Sequence, residues 1–275
     1  MREFVIINAN GEEMDMNQKN HFLHSVKGMG VEKNNTYEQI GNDFYKITEV
    51  TRQKKIQGKV FFDSYESFNE FARFIQNSPL TVRYSADNIG AYYIDVEIQK
   101  LDKAEKEATG LNCGIELNNI GAYYRLIDVV NEQSEDVQGK TYPFRYEYTY
   151  TDFGYGEAVI DSDSEQEGKC ELTIVGPAKN PSWTHTVNSE LVTTGKVNIE
   201  LAAGEKLVID DTKIPYSIKR KDMMNHIISN EYQNSDFTTE RFISLKKGVN
   251  RIRIVHEGTG ELKIRVRGRV AYDAV

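Results

Sequence analysis

Phe144-Arg145-Tyr146-Glu147-Tyr148-Thr149-Tyr150 sets an aromatic ring at every second position, with a polar side chain between each pair. A period of two puts the rings on one face of a β-strand and the polar groups on the other. The alternation returns at Val197, Ile199 and Leu201, and again at Leu262, Ile264 and Val266. Around these runs, Glu171–Val175, residues 205–209, Phe242–Leu245 and Arg251–Val255 also predict strands. Turns are predicted at Lys247–Asn250 and Gly258–Gly260, and residues 217–240 read as a longer loop. Short strands at this spacing, separated by Gly and Asn turns, indicate a β-sandwich. No cluster of reactive side chains sits among them, which favours a scaffold or binding module over an enzyme.

The 275 residues suggest two domains, and 39% hydrophobic residues supply enough apolar material for real cores. The formal net charge of −8 disfavours sequence-specific nucleic-acid binding, which usually needs a basic excess. Cys113 and Cys170 are far apart and would pair only across domains, so a reducing compartment is the better reading. The apolar run after Met1 is too short for a secretory signal, and no stretch approaches the ~20 apolar residues of a membrane helix. The chain is therefore expected to be made in the cytoplasm, with no membrane partner.

In the first half, Phe4–Ile7 begins a strand and Asn10-Gly11 is a hairpin turn signal. Residues 31–62 read as long polar strands, with Phe44, Tyr45, Ile47 and Val50 before a basic run through Lys54, and then Ile56, Val60, Phe61 and Phe62. A ribbon exposed on both faces needs a partner chain. One helix is expected near 64–77. Asp63 and Glu66 form a capping box, Tyr65, Phe68, Phe71, Ala72 and Ile75 form an apolar stripe, and Pro79 follows the end. Asn88-Ile89-Gly90-Ala91-Tyr92-Tyr93 recurs as Asn119-Ile120-Gly121-Ala122-Tyr123-Tyr124, which reads as two similar entries into one sheet. The polar stretch 131–143 is the best domain boundary. The expectation is thus a mostly β chain with one packed helix, in two domains: 1–130, and 144–275 after a linker.

The motifs for chemistry are weak. Asp161-Ser162-Asp163-Ser164-Glu165 begins like a calcium loop, but Gln166 stands where the loop needs Gly and Leu172 where it needs Glu, so a hairpin turn is the better reading. His21 and His24 lie in an extended pattern that points them apart, and His185, His226 and His256 are isolated. No Gly-x-Ser-x-Gly elbow occurs, and Gly28-Met29-Gly30 lacks the third glycine of a phosphate loop. No catalytic residue, cofactor site or metal site is assigned. Lys263, Arg265, Arg267 and Arg269 make one face of the last strand basic, either to dock an acidic partner or to pair with acidic cross-strand neighbours. Trp183, the lone tryptophan, lies in an apparent loop after Pro181. It would stack on a sugar if exposed and plug the sandwich if buried.

The order of elements resembles the distal tail protein (baseplate hub) family of long-tailed bacteriophages and phage-tail-like bacteriocins. The resemblance runs through Tyr93–Ile98, Leu101–Glu105, Leu111-Asn112-Cys113 and Tyr123-Tyr124. It continues through Glu171–Gly176, Pro181, Gly204–Asp210 and Phe242–Asn250. The acidic turn at 161–168 departs from that family's Asn- and Gly-rich form. The resemblance implies an N-terminal ring-forming β-sandwich with a helix and a C-terminal galectin-like or jelly-roll-like β-sandwich. It implies a homo-hexamer at the tail tip that joins the major tail tube protein to the tail-associated hub protein, with receptor-binding protein as a further partner. It also implies synthesis in the bacterial cytoplasm and assembly into a virion tail or tail-like particle. Within that frame, Phe44, Tyr45, Ile47, Val50, Lys54 and Ile56 are the candidate ring contacts. The competing readings are a carbohydrate-binding module that uses Trp183 on cell-wall glycans, and a glycoside hydrolase built on two distant carboxylates.

Overall fold

The computed structural model describes residues 2–50, 53–87, 89–107, 109–130, 155–258 and 262–275. The aromatic run Phe144–Tyr150 and the polar stretch 131–143 lie outside them. The chain divides into two compact units, Met1–Arg125 with Tyr272–Val275, and Leu126–Ala271. The last four residues thus belong to the first unit, although the sequence assigns them to the second domain.

In the first unit, β1 (Arg2–Ile7) turns back through Gly11 into β2 (Glu13–Asp15). Gly11 has φ +80°, a left-handed backbone that glycine adopts without steric cost. Next come β3 (His21–Lys27), β4 (Asn34–Ile40), β5 (Asp43–Val50) and β6 (Lys55–Phe62). Helix α1 (Tyr65–Phe74) follows, then β7 (Leu80–Ala86), β8 (Ile89–Leu101), β9 (Leu111–Asn119) and β10 (Tyr123–Val130), whose first three residues belong to this unit. The 13-residue β8 serves two layers. Its first half pairs with β7, which pairs with β1. Its second half pairs with β9, which continues through β6 to β3. The N-cap of α1 is Ser64 and not Asp63. The Ser64 hydroxyl accepts the Ser67 N–H at 3.2 Å, while Asp63 accepts the Ser67 hydroxyl at 2.7 Å. Phe68 and Phe71 pack on Phe62 of β6, with ring centroids 5.5 and 5.4 Å away, so the helix stripe is the face that meets the sheet. The repeated Tyr-Tyr pairs enter neighbouring strands of one sheet. Tyr93 and Tyr124 are cross-strand partners, with stacked rings 5.7 Å apart.

The second unit contains β11 (Tyr155–Ser162), β12 (Gln166–Val175), β13 (Ala178–Lys179), β14 (Ser182–Val187) and β15 (Glu190–Lys196). It continues with β16 (Glu200–Leu201), β17 (Glu205–Asp210), β18 (Ser217–Asp222), β19 (Ile227–Asn230), β20 (Gly248–Val255) and β21 (Lys263–Tyr272). One sheet runs β19-β18-β17-β12-β21 and the other β11-β20-β14-β15. Inward side chains of both fill one core: Leu172, Ile174, Leu207, Ile209, Ile264 and Val266 from the first, and Ala158, Ile160, Trp183, Ile252 and Ile254 from the second. That is sandwich packing.

Three sequence expectations change here. Residues 217–240 hold strands β18 and β19 and are not one long loop. Their polar side chains conceal them, because only Ile218 of β18 is buried. Phe242–Leu245 is not a strand. Ile243 and Leu245 are buried, but Leu245 is held by an isolated bridge to Gly168. Val197, Ile199 and Leu201 are all buried, yet only Glu200–Leu201 is strand, because alternation reports burial and not ladder hydrogen bonding.

Candidate interaction surface

β4 and β5 form a two-stranded sheet of their own, and no other strand among the described residues pairs with them. The sequence builds this hairpin locally. Gly41, at the first position of the two-residue loop, has φ +67°, as a tight hairpin turn requires. Register then sorts the side chains. Gln39 faces Phe44 and Tyr37 faces Lys46, so Tyr37 and Phe44 share one face. Glu38 faces Tyr45 and Ile40 faces Asp43, which puts Ile40 and Tyr45 on the other, while Ile47 is the extra residue where the register shifts. Phe44 is 69% exposed, Tyr45 54% and Ile47 55%, and Tyr37 and Ile40 are exposed to a similar degree. An isolated two-stranded hairpin is marginal in water, and large apolar groups exposed on both faces mark a contact surface.

The remaining expected contact residues part company here. Val50 ends β5. Lys54 lies beyond the ribbon and donates its Nζ to the Asp273 carbonyl at 2.7 Å, which ties the chain's end to the first unit. Ile56 is 3% exposed and belongs to the core, because it lies on the inward face of β6 with Val60 and Phe62. Its side chain therefore has no surface to offer a neighbour. Tyr37 and Ile40, equally exposed on β4, complete the surface. Tyr37 and Ile40 lie three apart, on opposite faces, so they give no period-two signal within the polar stretch 34–40.

Trp183 lies in β14 and not in a loop, and it is 1% exposed. Gly195 on β15 is its cross-strand partner. A Cβ at Gly195 would stand 2.1 Å from the Trp183 ring, so the missing side chain makes room for the indole. Buried, the ring has no face for a sugar, and the glycan contact assigned to it fails. A cleft of about 430 Å³ lies nearby in the same unit, lined in part by Glu167, Thr193, Glu240, Arg241 and Lys246. Glu167 pairs with Lys246 at 3.3 Å, and the Glu167 and Glu240 side chains are exposed.

The candidate calcium turn is a tight connection from β11 to β12, with Ser164 buried. Among the described residues, no three His, Cys, Asp or Glu side chains gather to hold a metal ion. No helix among them is long and apolar enough to cross a membrane. Cys113 and Cys170 are free and buried, in different units. Burial raises both thiol pKa values and leaves the thiols inert. His185 is buried, its Nε2 lies 3.1 Å from Asn250 Oδ1, and burial lowers its pKa. Asp211 was not singled out in the sequence. It is 5% exposed, accepts the Cys170 N–H at 2.5 Å, and burial raises its pKa to about 6.

Residues 3–120 match the family model described as the distal tail protein, N-terminal domain. Among solved structures, the fold resembles a chain of the phage P2 baseplate in its activated conformation with calcium. Identity is 16%, all of both chains is covered, and the TM-score is 0.70. It also resembles the SPP1 Dit protein, a hub protein of a phage that infects Gram-positive hosts. There identity is 9%, coverage is 97% of this chain and 98% of that one, and the TM-score is 0.58. No curated protein matches the sequence. Residues 3–120 are therefore similar to the distal tail protein N-terminal domain, and the fold along the chain is like that of these two phage tail proteins.

Proposed function

We propose that this chain is a structural subunit of a phage tail tip, and that its N-terminal unit closes with copies of itself into a homo-hexameric ring. The ring joins the major tail tube protein to the tail-associated hub protein, and the C-terminal sandwich serves receptor-binding protein. The mechanism is assembly without catalysis. The observation that carries the reading is the β4–β5 ribbon, with apolar side chains exposed on both faces of a strand pair that pairs with no other strand among the described residues. A ring gives such a ribbon a neighbour at every subunit boundary, and closed symmetry repeats the contact identically. The family match over residues 3–120 supports placing the ring in the N-terminal unit. The phage baseplate and hub proteins of like fold support the tail-tip location.

The test is solution mass by light scattering over a concentration series. The reading expects a species six times the chain mass of 31.5 kDa. A chain that remains at its single mass at every concentration, alone and with a tail tube partner, contradicts it.

A further inference from the structure

The basic face of β21 extends well beyond that strand. In the register of the second unit's larger sheet, Lys263 stands beside Val175, Val175 beside Lys206, Lys206 beside Lys221 and Lys221 beside Ile227. The next row, two residues along each strand and three along β19, runs Arg265, Thr173, Val208, Lys219 and Asn230. Alternation keeps these residues on the face away from the core, since Leu172, Ile174, Leu207, Ile209 and Ile264 point inward. Near β21 the charge is balanced. Arg265 Nε donates to Asp128 at 2.7 Å, and Arg267 reaches Glu171 at 3.3 Å. Towards the other edge it is not. Lys219, Lys221 and Lys263 form no ion pair among the described residues, and their cross-strand neighbours are valine, isoleucine, asparagine or another lysine. The unit as a whole is acidic, so this concentration of lysines is local.

The same edge is open and apolar. β19 ends the sheet, and no strand among the described residues pairs with its far side. Ile227 and Ile228 on β19, and Met223 and Met224 at the turn before it, are all exposed. The bulge opposite Arg220 and Lys221 places Ile227 on the lysine face.

We propose that the β18–β19 edge is a docking site for an extended, acidic and partly apolar strand of a partner protein, which adds to the sheet beside β19. Such a strand uses all three features at once. Its backbone completes the unpaired ladder, its apolar side chains cover Ile227 and the two methionines, and its carboxylates face Lys219 and Lys221. A phosphate or nucleic-acid polymer would meet the lysines but would leave the ladder and the apolar rim unused. The site shares no residue with the β4–β5 ribbon, so it stands or falls apart from ring formation.

The probe is a fluorescent twelve-residue peptide of the repeat Glu-Thr-Val-Thr (the Glu-Val peptide), which as a strand sets Glu and Val on one face. It is titrated against the full chain by anisotropy, with inorganic polyphosphate and the matching Lys-Thr-Val-Thr repeat (the Lys-Val peptide) as comparisons. The Glu-Val peptide is expected to bind, to slow amide exchange at residues 227–230, and to lose at least tenfold in affinity with K219E/K221E. M223S/M224S should weaken it with the lysines intact. Circular dichroism and a melting curve establish that each variant is folded. Three results overturn the proposal: no binding of the peptide to the intact chain, equal binding of the Lys-Val peptide, or tighter binding of polyphosphate with exchange at 227–230 unchanged.

Discussion

Replacing Phe44 with serine removes the most exposed aromatic of the ribbon, at 69% exposure. A free aromatic side chain presents about 200 Å², so Phe44 leaves roughly 140 Å² for a neighbour to cover. At ~25 cal/mol per Å² that area is worth about 3.5 kcal/mol, an upper bound because ordering the ribbon on contact costs entropy. A loss of about 3 kcal/mol corresponds to an association constant lower by on the order of a hundredfold at each boundary. The subunit itself should be unharmed, because exposed positions away from the core shift stability by about 0.5 kcal/mol or less. Sedimentation of Phe44→Ser and of the triple variant F44S/Y45S/I47S, beside urea melts of each, reads both quantities. The expected result is a shift from ring to single chains, with a urea midpoint that is unchanged when all chains are compared at concentrations too low for the ring to form. A ring that withstands the triple variant would refute the reasoning, and so would a midpoint that falls with it, since that would make the ribbon part of the subunit's own core.

Asp211 gives a pH signature. Its folded pKa of about 6 lies above its ordinary value of 3.8, so between those values the folded chain holds a proton that the unfolded chain has released. Stability contributed by this group is therefore greatest on the acid side of the window and is lost as pH rises through it, by about 3 kcal/mol at most. Asp211→Asn should flatten that part of the profile and stabilise the chain near pH 8, as urea unfolding across pH 4 to 8 will read. Trp183, the lone tryptophan, should fluoresce at short wavelength and resist acrylamide in the folded chain, whereas a solvent-exposed indole would be quenched readily. Gly195→Ala would drive a Cβ to 2.1 Å from that ring. It should cost about 1–3 kcal/mol by overpacking and shift the emission, with thermal melts as the measure. Arg267→Ala, by contrast, removes a half-exposed ion pair to Glu171 and should change stability by about 1 kcal/mol or less.

The ribbon was legible because its signal is local. A turn glycine, alternating residues and apolar groups on both faces are all written within residues 34–50, and hairpin register follows from them. The helix was legible for the same reason, although the cap fell one residue later than the capping box implied. The expected boundary did not foresee Tyr272–Val275 joining the first unit, because that depends on contacts such as Lys54 with Asp273, more than two hundred residues apart. Trp183 was undecidable from its neighbours, because its burial depends on Gly195 across the hairpin. β18 escaped notice because a strand with Lys219, Arg220 and Lys221 gives little apolar alternation. Its neighbour β19 reads as polar at one end and is broken by a bulge. Ile56 was misjudged because polarity around it suggested an exposed strand, whereas Lys55 and Gln57 are the outward face of β6 and Ile56, Val60 and Phe62 the inward one.

Photo-crosslinking from position 44 bears most directly on self-assembly through the ribbon. With p-benzoylphenylalanine in place of Phe44, irradiation at the concentration where the larger species forms should join two copies, and peptide mapping should place the acceptor in the N-terminal unit of the second copy. Adducts confined to a single chain, under conditions where light scattering still reports the larger species, would contradict the claim that this ribbon holds the subunits together.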